Sequence, residues 1–236
     1  MGLGEANLLF QRVALLNGVE FLEKLGQTNV LVFGLGGVGS WCAEALVRSG
    51  LGKIGIIDYD SVCESNINRQ IQATSLTICR NKAEALMQRL LEINPKCEIK
   101  AWAEAFSKEN SACFGIEEVD YVIDAIDSID AKLDLIEACF KAGVKLFSSM
   151  GMARKMDPTR IKTAGIWETQ NCPLAKVVRQ GLKKRGFSGN FMTVYSDEPS
   201  IKQSAAEQRI NGSIVTVTAS AGMALASLVL REIKET

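Results

Sequence analysis

A glycine-rich turn is the first part of this sequence whose residue types and spacing could do chemistry. Its glycines, Gly34, Gly36, Gly37 and Gly39, stand between an aliphatic run and a helix-like stretch. Glycines at such a junction let phosphates approach backbone N–H groups at a helix N-terminus. Asp58 ends the next aliphatic run about 20 residues on, where a carboxylate can hydrogen-bond a ribose hydroxyl. The spacing predicts a nucleotide site, and by itself it fits a dinucleotide dehydrogenase equally well.

The polar segment after Asp58 favours ATP over a dinucleotide. It contains Asp60, Asn66 and Arg69, and Lys82 opens the next predicted helix. A triphosphate needs arginine, lysine and amide donors, whereas a dehydrogenase needs little at this position. Taken alone, Lys82 could equally be a lysine that merely solvates its own helix. The prediction of an ATP site therefore depends on Asp60, Asn66, Arg69 and Lys82 together.

A candidate metal ligand lies farther along the chain. Asp127 follows a predicted strand, at the sheet edge where open α/β folds bind their ligands. Mg²⁺ often takes only one or two carboxylates together with phosphate oxygens, so Asp127 is the expected Mg²⁺ ligand. Asp124 is expected to cap the strand end rather than to bind metal. The residues therefore indicate ATP and Mg²⁺ as cofactors.

The composition excludes several classes of chemistry. The chain has 236 residues, zero formal net charge and no histidine. Histidine bases, Ser-His or Cys-His nucleophile pairs and histidine-ligated metals are therefore excluded. The seven cysteines form no C-x-x-C pair, so neither a disulfide framework nor a zinc site is expected, and their usage suits a reducing cytosol.

No export or membrane signal is predicted. The N-terminus lacks a basic region followed by an apolar block, which a signal peptide would have. The longest weakly polar run, 216–230, is shorter than the roughly 20 residues of a membrane-spanning helix. We therefore expect a cytoplasmic protein with no membrane partner, and we interpret this run as a buried helix.

Alternating strand and helix patterns predict an α/β fold, with a Rossmann-like doubly wound, mostly parallel sheet and an elaborated C-terminal third. The first 150 residues predict a helix at 7–25, strands at 29–33, 53–57, 97–102, 119–123 and 144–147, and helices at 38–48, 80–93, 107–114 and 129–142. The remainder predicts strands at 161–166, 191–195 and 213–217 and helices at 174–185 and 219–233.

We expect one domain over residues 1–236. Residues 1–150 would form its nucleotide-binding core, and 151–236 an elaboration on the acceptor and dimer side. A polar loop is expected at 196–211.

The nucleotide motifs resemble those of the ubiquitin-activating-like superfamily, which includes HesA, ThiF and MoeB. The resemblance lies in GLGGVGSWCAEALVRSGLGKIGIIDYDSVCESNINRQ and in AEALMQRLLEINP. Two further segments, YVIDAIDSIDAK and SSMGMARKMDPTRIK, are similar to one branch, the tRNA threonylcarbamoyladenosine dehydratases. The similarity covers about residues 8–200.

The resemblance implies roles for the matching residues. It puts the phosphates on the glycine loop and the ribose on Asp58. It also implies triphosphate contacts by Asn66, Arg69 and Lys82, and Mg²⁺ binding by Asp127.

A further implied role concerns a second subunit. Arg12 matches a residue that reaches the γ-phosphate bound to the neighbouring subunit, which implies a homodimer with Arg12 acting in trans. The family's preceding arginine is Leu9 here, so one contact is missing. Without the resemblance, Arg12 would be interpreted as a solvated surface charge.

The branch implies a reaction: ATP-dependent cyclisation of N6-threonylcarbamoyladenosine in tRNA through an acyl-adenylate, with release of pyrophosphate and AMP. This chemistry needs neither zinc nor a covalent cysteine, and the two C-x-x-C pairs typical of MoeB and ThiF are absent. Activation of the C-terminal glycine of a small sulfur-carrier protein stays open as an alternative. So does a nucleotide-binding partner without turnover, acting with a cysteine desulfurase or sulfur-acceptor protein; a dehydrogenase ranks last.

A basic stripe is the candidate tRNA contact. It consists of Lys176, Arg179, Lys183, Lys184 and Arg185 on one predicted helix, and Lys155 and Arg160 would extend it. The same charges also fit an ordinary solvated helix face. Just before this helix, Cys172 is most simply a small buried hydrophobic residue.

Overall fold

The computed structural model describes residues 8–201 and 211–235. The strands among these residues are β1 Asn29–Phe33, β2 Lys53–Ile57, β3 Glu98–Trp102, β4 Tyr121–Asp124, β5 Lys145–Ser149, β6 Ile161–Gly165 and β7 Met192–Ser196. They form a seven-stranded sheet in the order β3-β2-β1-β4-β5-β7-β6. Strand β6 runs antiparallel to β7, and the other neighbours are parallel. The predicted Rossmann-like fold is confirmed, and the pairing of β7 with β5 builds the C-terminal third into the same sheet.

The register of the central strands brings three chain segments to one edge of the sheet. Strands β1, β2 and β4 are rich in aliphatic residues and are buried along most of their length, as expected where helices cover both faces. Phe33 pairs with Ile57 and with Asp124, so the three strands end side by side. The turns that follow them contain Gly34, Asp58 and the segment before Asp127.

The helices cover both faces of the sheet. They are α1 Gln11–Asn17, α2 Val19–Gln27, α3 Gly39–Ser49, α4 Lys82–Ile93, α5 Ile129–Ala142, α6 Pro173–Lys184 and α7 Val215–Glu235. Helices α2, α3, α4 and α7 pack on one face, and α5 and α6 pack on the other. The side chain of Asn81 caps α4 by accepting hydrogen bonds from the N–H groups of Ala83 and Glu84 at 2.8 and 3.2 Å. This cap fixes the point at which Lys82 enters the helix.

Two predictions in the first half of the chain are wrong in type or extent. The helix predicted at 7–25 is divided at Gly18, whose φ is +93°, and it starts as a 3-10 turn; residue 7 lies outside the described residues. The helix predicted at 107–114 is reduced to a 3-10 turn at Ser111–Phe114. There, Phe114 packs edge-on against Phe33 at 5.4 Å, so core packing rather than helical periodicity sets the path of the chain.

The strand predicted at 213–217 is also wrong, because α7 begins at Val215. The β-branched residues of this segment have a high strand propensity, which favoured a strand in the sequence analysis. In the structure, packing in the core that α7 shares with α3 overrides this propensity, and Val217 is fully buried there. The loop predicted at 196–211 falls mostly on residues 202–210, which lie outside the described residues.

Helix α7 has the length and composition of a membrane span, which is also true of many core helices. One of its faces is buried through Val217, Ala221, Leu225 and Val229. A Cβ added at Gly222 would stand 2.5 Å from the carbonyl oxygen of Val38, so α7 lies tightly against the start of α3. This packing agrees with the prediction of a buried helix.

Candidate active site

A cleft of about 750 Å³ opens at the carboxyl ends of the central strands. Most of the residues selected from the sequence line it: Gly34, Gly36, Gly37, Asp58, Asp60, Asn66, Arg69, Lys82 and Asp127. Gly39 lies behind the turn as the first residue of α3, and Arg12 does not line the cleft. The fold therefore brings all of the predicted site residues to one cleft except Gly39 and Arg12.

The glycines of the turn have two different functions. Gly34 has a φ of +85°, and an added Cβ would stand 2.6 Å from the carbonyl oxygen of Ala125. At Gly39 the added Cβ would stand 1.9 Å from the carbonyl oxygen of Gly34. Gly36 has open space, because a Cβ added there would meet no atom within 4 Å. Gly34 and Gly39 thus allow the turn to close, whereas Gly36 leaves room in the cleft for a ligand.

Asp58 joins the end of β2 to the glycine turn. Its Oδ2 accepts a hydrogen bond from the Leu35 N–H at 2.7 Å, and its Oδ1 accepts one from the Asp60 N–H at 2.9 Å. Burial raises the pKa of the Asp58 carboxyl, while the Lys82 charge and these hydrogen bonds act in the opposite direction. Each carboxylate oxygen keeps a further lone pair for a ligand hydroxyl. Asp58 therefore shapes the turn as well as lining the site.

Lys82 is a buried cation at the cleft. Its Nζ lies 2.7 Å from Oδ2 of Asp60, which is half-exposed. The backbone N–H of Lys82 also donates to the carbonyl oxygen of Asp60 at 2.9 Å. The alternative of a lysine that merely solvates its helix is wrong, because its side chain is buried among cleft-lining residues.

Asn66 and Arg69 belong to a short turn on the same wall. The Asn66 Oδ1 accepts a hydrogen bond from the Cys63 N–H at 3.0 Å. The half-buried guanidinium of Arg69 donates from Nη1 to the Ser65 carbonyl oxygen at 2.7 Å, and the Trp41 Nε1 donates to the Arg69 carbonyl oxygen at 2.9 Å. The turn is thus held from both sides, with an amide and a guanidinium at the cleft.

Asp124 and Asp127 have different surroundings. Asp124 caps the strand end as predicted, since its Oδ1 accepts a hydrogen bond from the Ile126 N–H at 3.1 Å. Its Oδ2 lies 2.6 Å from Nζ of Lys132, a buried ion pair that the sequence patterns did not predict. Asp127 is exposed and lines the cleft. Of these two carboxylates, Asp127 is therefore the one that is accessible to a ligand in the cleft.

A comparison with family models gives a match to the ThiF family over residues 9–236. The chain belongs to the ThiF family. Among curated proteins, it is 43% identical over 192 residues to the tRNA threonylcarbamoyladenosine dehydratase of Bacillus subtilis, covering 81% of this chain and 76% of that protein. Among solved structures, it is similar to the E. coli tRNA N6-threonylcarbamoyladenosine dehydratase TcdA in complex with ATP, with a TM-score of 0.88, 34% identity and coverage of 95% of this chain and 93% of that one.

A more distant relative represents the sulfur-carrier alternative. The adenylyltransferase and sulfurtransferase MOCS3 of Drosophila yakuba is 39% identical over 140 residues, covering 59% of this chain and 30% of that protein. The dehydratases match a larger part of this ThiF-family chain, which favours the predicted branch.

The predicted basic stripe of this ThiF-family chain is only partly available. Lys176, Lys183 and Lys184 are exposed. Arg179 is half-buried and donates to the Thr169 carbonyl oxygen at 3.1 Å. Arg185 pairs with Asp134 at 2.6 Å and with Glu137 at 2.8 Å. Both arginines of the stripe therefore make contacts within the fold, and only its three lysines remain exposed for a ligand.

Two residues expected to extend the stripe do not do so. Lys155 is 2% exposed and donates to the carbonyl oxygen of Glu198, and Arg160 pairs with Asp197 at 2.8 Å. Cys172 is buried at the start of α6, as predicted.

Sequence reasoning also missed polar groups of the cleft wall. Gln70 is buried and lines the cleft, and its Oε1 has no hydrogen-bond partner among the described residues. The neighbouring Gln72 donates from Nε2 to the Leu35 carbonyl oxygen at 2.8 Å and so supports the glycine turn. Neither glutamine carries a charge or a spacing signal that would have identified it.

Proposed function

We propose that this chain uses ATP to adenylate the carboxylate of N6-threonylcarbamoyladenosine in tRNA and so drives its cyclisation. The observation that carries the proposal is a single cleft lined by a glycine turn, Asp58, Arg69, Lys82 and Asp127. The names of the similar dehydratases supply the acceptor.

The cleft supports ATP binding through complementary groups on two strand ends. The open space at Gly36 accommodates phosphates, and Asp58 offers carboxylate oxygens to the ribose hydroxyls. Arg69 and Lys82 offer cationic donors to the triphosphate, and Asn66 offers an amide. The unpartnered Oε1 of Gln70 is a buried acceptor that a donor group of the nucleotide would satisfy.

Mg²⁺ fits this donor set as a partner of the phosphates. No group of three or more Cys, Asp or Glu side chains that could hold a metal occurs within residues 8–201 and 211–235. Since Asp124 is engaged with Lys132, Asp127 would hold the ion together with phosphate oxygens, as Mg²⁺ commonly binds. The ion would neutralise phosphate charge, and Arg69 and Lys82 would stabilise the pyrophosphate that leaves.

The proposed reaction has two steps. A carboxylate oxygen of the threonyl group attacks the α-phosphate of ATP, and the bond to pyrophosphate breaks. The carbamoyl group of the same modification then attacks the acyl carbon, and AMP leaves with the former carboxylate oxygen. The second nucleophile is intramolecular, which gives a large proximity advantage. A chain without histidine is therefore sufficient for this chemistry.

A homodimer in which Arg12 acts in trans is part of the proposal. Arg12 is exposed on α1 and does not line the cleft of its own chain, so a contribution to catalysis requires a second subunit. The same segment exposes the apolar side chains of Leu8, Leu9, Leu15 and Leu16. An exposed apolar patch of this kind is typical of a protein interface.

Lys176, Lys183 and Lys184 are the proposed tRNA phosphate contacts, because they are exposed on one side of α6. A cytoplasmic location and a cysteine desulfurase or sulfur-acceptor partner stay predictions.

Pyrophosphate exchange tests the acceptor. The protein is incubated with ATP, Mg²⁺ and labelled pyrophosphate, together with tRNA that carries the modification or with a small sulfur-carrier protein. We expect label to enter ATP only with the tRNA. Exchange that depends on the carrier protein instead would contradict the proposal and favour the alternative.

A further inference from the structure

Arg154 has an unusual backbone conformation. Its φ is +59°, in the left-handed region that residues other than glycine seldom occupy. Such a conformation costs free energy and persists where the surrounding structure requires it. The Arg154 N–H donates to the Gly212 carbonyl oxygen at 2.8 Å, and its carbonyl oxygen accepts from the Ile201 N–H at 2.9 Å. One strained residue therefore holds two other segments of the C-terminal third.

The residues after Arg154 are fixed to the turn that follows β7. The Lys155 ammonium donates to the Glu198 carbonyl oxygen. The Glu198 carboxylate accepts hydrogen bonds from the N–H groups of Met156 and Asp157, with Oε2 at 3.0 Å from each nitrogen. These contacts constrain the backbone around Arg154 and so fix the position from which the Arg154 side chain extends at the cleft wall.

The Arg154 side chain has an unmet hydrogen-bonding need. It lines the cleft, and its Nε is buried without a hydrogen-bond partner among the described residues. Burial of an N–H group without an acceptor costs free energy, and an acceptor atom on a ligand would remove this cost. A guanidinium presents a planar set of donors that matches a carboxylate or a phosphate. An anionic group therefore complements this side chain in both charge and geometry.

The position of Arg154 distinguishes between the anions of the two substrates. Arg69, Lys82 and the glycine turn, which would bind the phosphates of ATP, follow β1 and β2. Arg154 lies five residues after Ser149, the last residue of β5, and both residues line the cleft on the wall that the C-terminal third builds. We propose that Arg154 binds an anionic group of the acceptor tRNA, either the carboxylate to be activated or a neighbouring backbone phosphate. This inference rests on the proposed function.

Arg154→Gly is the informative variant, because glycine adopts a positive φ freely and the side chain alone is lost. Arg154→Lys keeps the charge and removes the planar donor set. Lys108→Ala is the matched control, since it removes one positive charge from an exposed residue that does not line the cleft. For each protein we would measure the Kd for tRNA with and without the modification by fluorescence anisotropy, the KM for ATP and the thermal unfolding midpoint.

We expect Arg154→Gly to weaken binding of the modified tRNA roughly tenfold or more, with an intermediate loss in Arg154→Lys. The KM for ATP and the unfolding midpoint should stay at wild-type values, and Lys108→Ala should bind like wild type. A loss confined to the modified tRNA would identify the carboxylate as the ligand, and an equal loss for unmodified tRNA would identify a phosphate. Unchanged tRNA binding, or a raised KM for ATP instead, would overturn the inference. Absence of turnover in the wild-type chain would count against the proposed function, while the binding measurements would still test Arg154.

Discussion

The Nζ of Lys132 lies 2.6 Å from Oδ2 of Asp124, and both side chains are 0% exposed. Lys132 also donates to the Ser149 carbonyl oxygen at 3.1 Å, and the other oxygen of Asp124 accepts the Ile126 N–H. The pair therefore connects β4, α5 and β5 to the turn that contains Asp127. Because Asp127 and Ser149 both line the cleft, this buried contact positions one wall of the candidate active site.

Removal of one partner of this pair should destabilise the protein strongly. In Lys132→Met the Asp124 carboxylate would stay buried without its counter-charge, which typically costs about 3–5 kcal/mol of unfolding free energy. Arg185→Met is the control: it breaks partly exposed pairs with Asp134 and Glu137, for which a loss below about 1 kcal/mol is typical. Urea unfolding measures both. Equal losses in the two variants would contradict the assignment of Lys132.

Two glycines of the turn should respond differently to alanine. Gly39→Ala introduces a Cβ 1.9 Å from the Gly34 carbonyl oxygen, so the turn must shift. The expected loss is about 1–3 kcal/mol, as for overpacked sites. Gly36→Ala has free space and should change stability by less than about 0.5 kcal/mol, yet its methyl group enters the cleft and should weaken ATP binding. Thermal unfolding and calorimetric ATP titration separate the two effects, and wild-type stability of Gly39→Ala would contradict this account of the turn.

The titration of Asp58 should be visible in the pH dependence of stability. Burial raises its pKa above the ordinary 3.8, so the folded state holds this proton more tightly than the unfolded chain does. Its stabilising contribution is complete below the ordinary pKa and is lost as the pH rises through the folded pKa. Relative to Asp58→Asn, the wild type should therefore lose stability as the pH rises above the ordinary pKa of 3.8. Urea unfolding across this range tests the sign, and a relative gain by the wild type would refute it.

The proposed action of Arg12 in trans predicts complementation between inactive variants. Arg12→Ala and Asp127→Ala should each lack activity, because one removes the arginine proposed to act in trans and the other the proposed metal ligand. If the subunits exchange, mixed dimers contain one complete site and should recover part of the activity. Subunit exchange is verified by native mass spectrometry. Exchange without recovery of activity would exclude the trans role.

Much of the fold and the nucleotide site could be predicted because local signals carried the information. Strands β1 and β2 are aliphatic runs that end at a glycine and an aspartate, and their predicted bounds agree with the structure. The start of α7 was mispredicted because Val217 has a β-branched side chain, whose burial against α3 depends on residues far away in the chain.

The positioning contacts of the site were missed for a related reason. Lys132 belongs to the same buried stripe of α5 as Leu135, Ile136 and Cys139, and a lysine in an apolar stripe was a usable signal for a buried carboxylate. No comparable signal existed for Arg154. Its importance comes from a positive φ and from hydrogen bonds to Ile201 and Gly212, which only the folded chain brings together.

Direct product analysis tests the central claim most sharply. The protein is incubated with ATP, Mg²⁺ and tRNA that carries N6-threonylcarbamoyladenosine, and the nucleosides are analysed by mass spectrometry under conditions that preserve the ring. We expect the nucleoside to lose one water while AMP and pyrophosphate form in equal amounts, and Asp127→Ala to form neither. ATP-dependent binding of this tRNA without any dehydrated nucleoside would contradict the account.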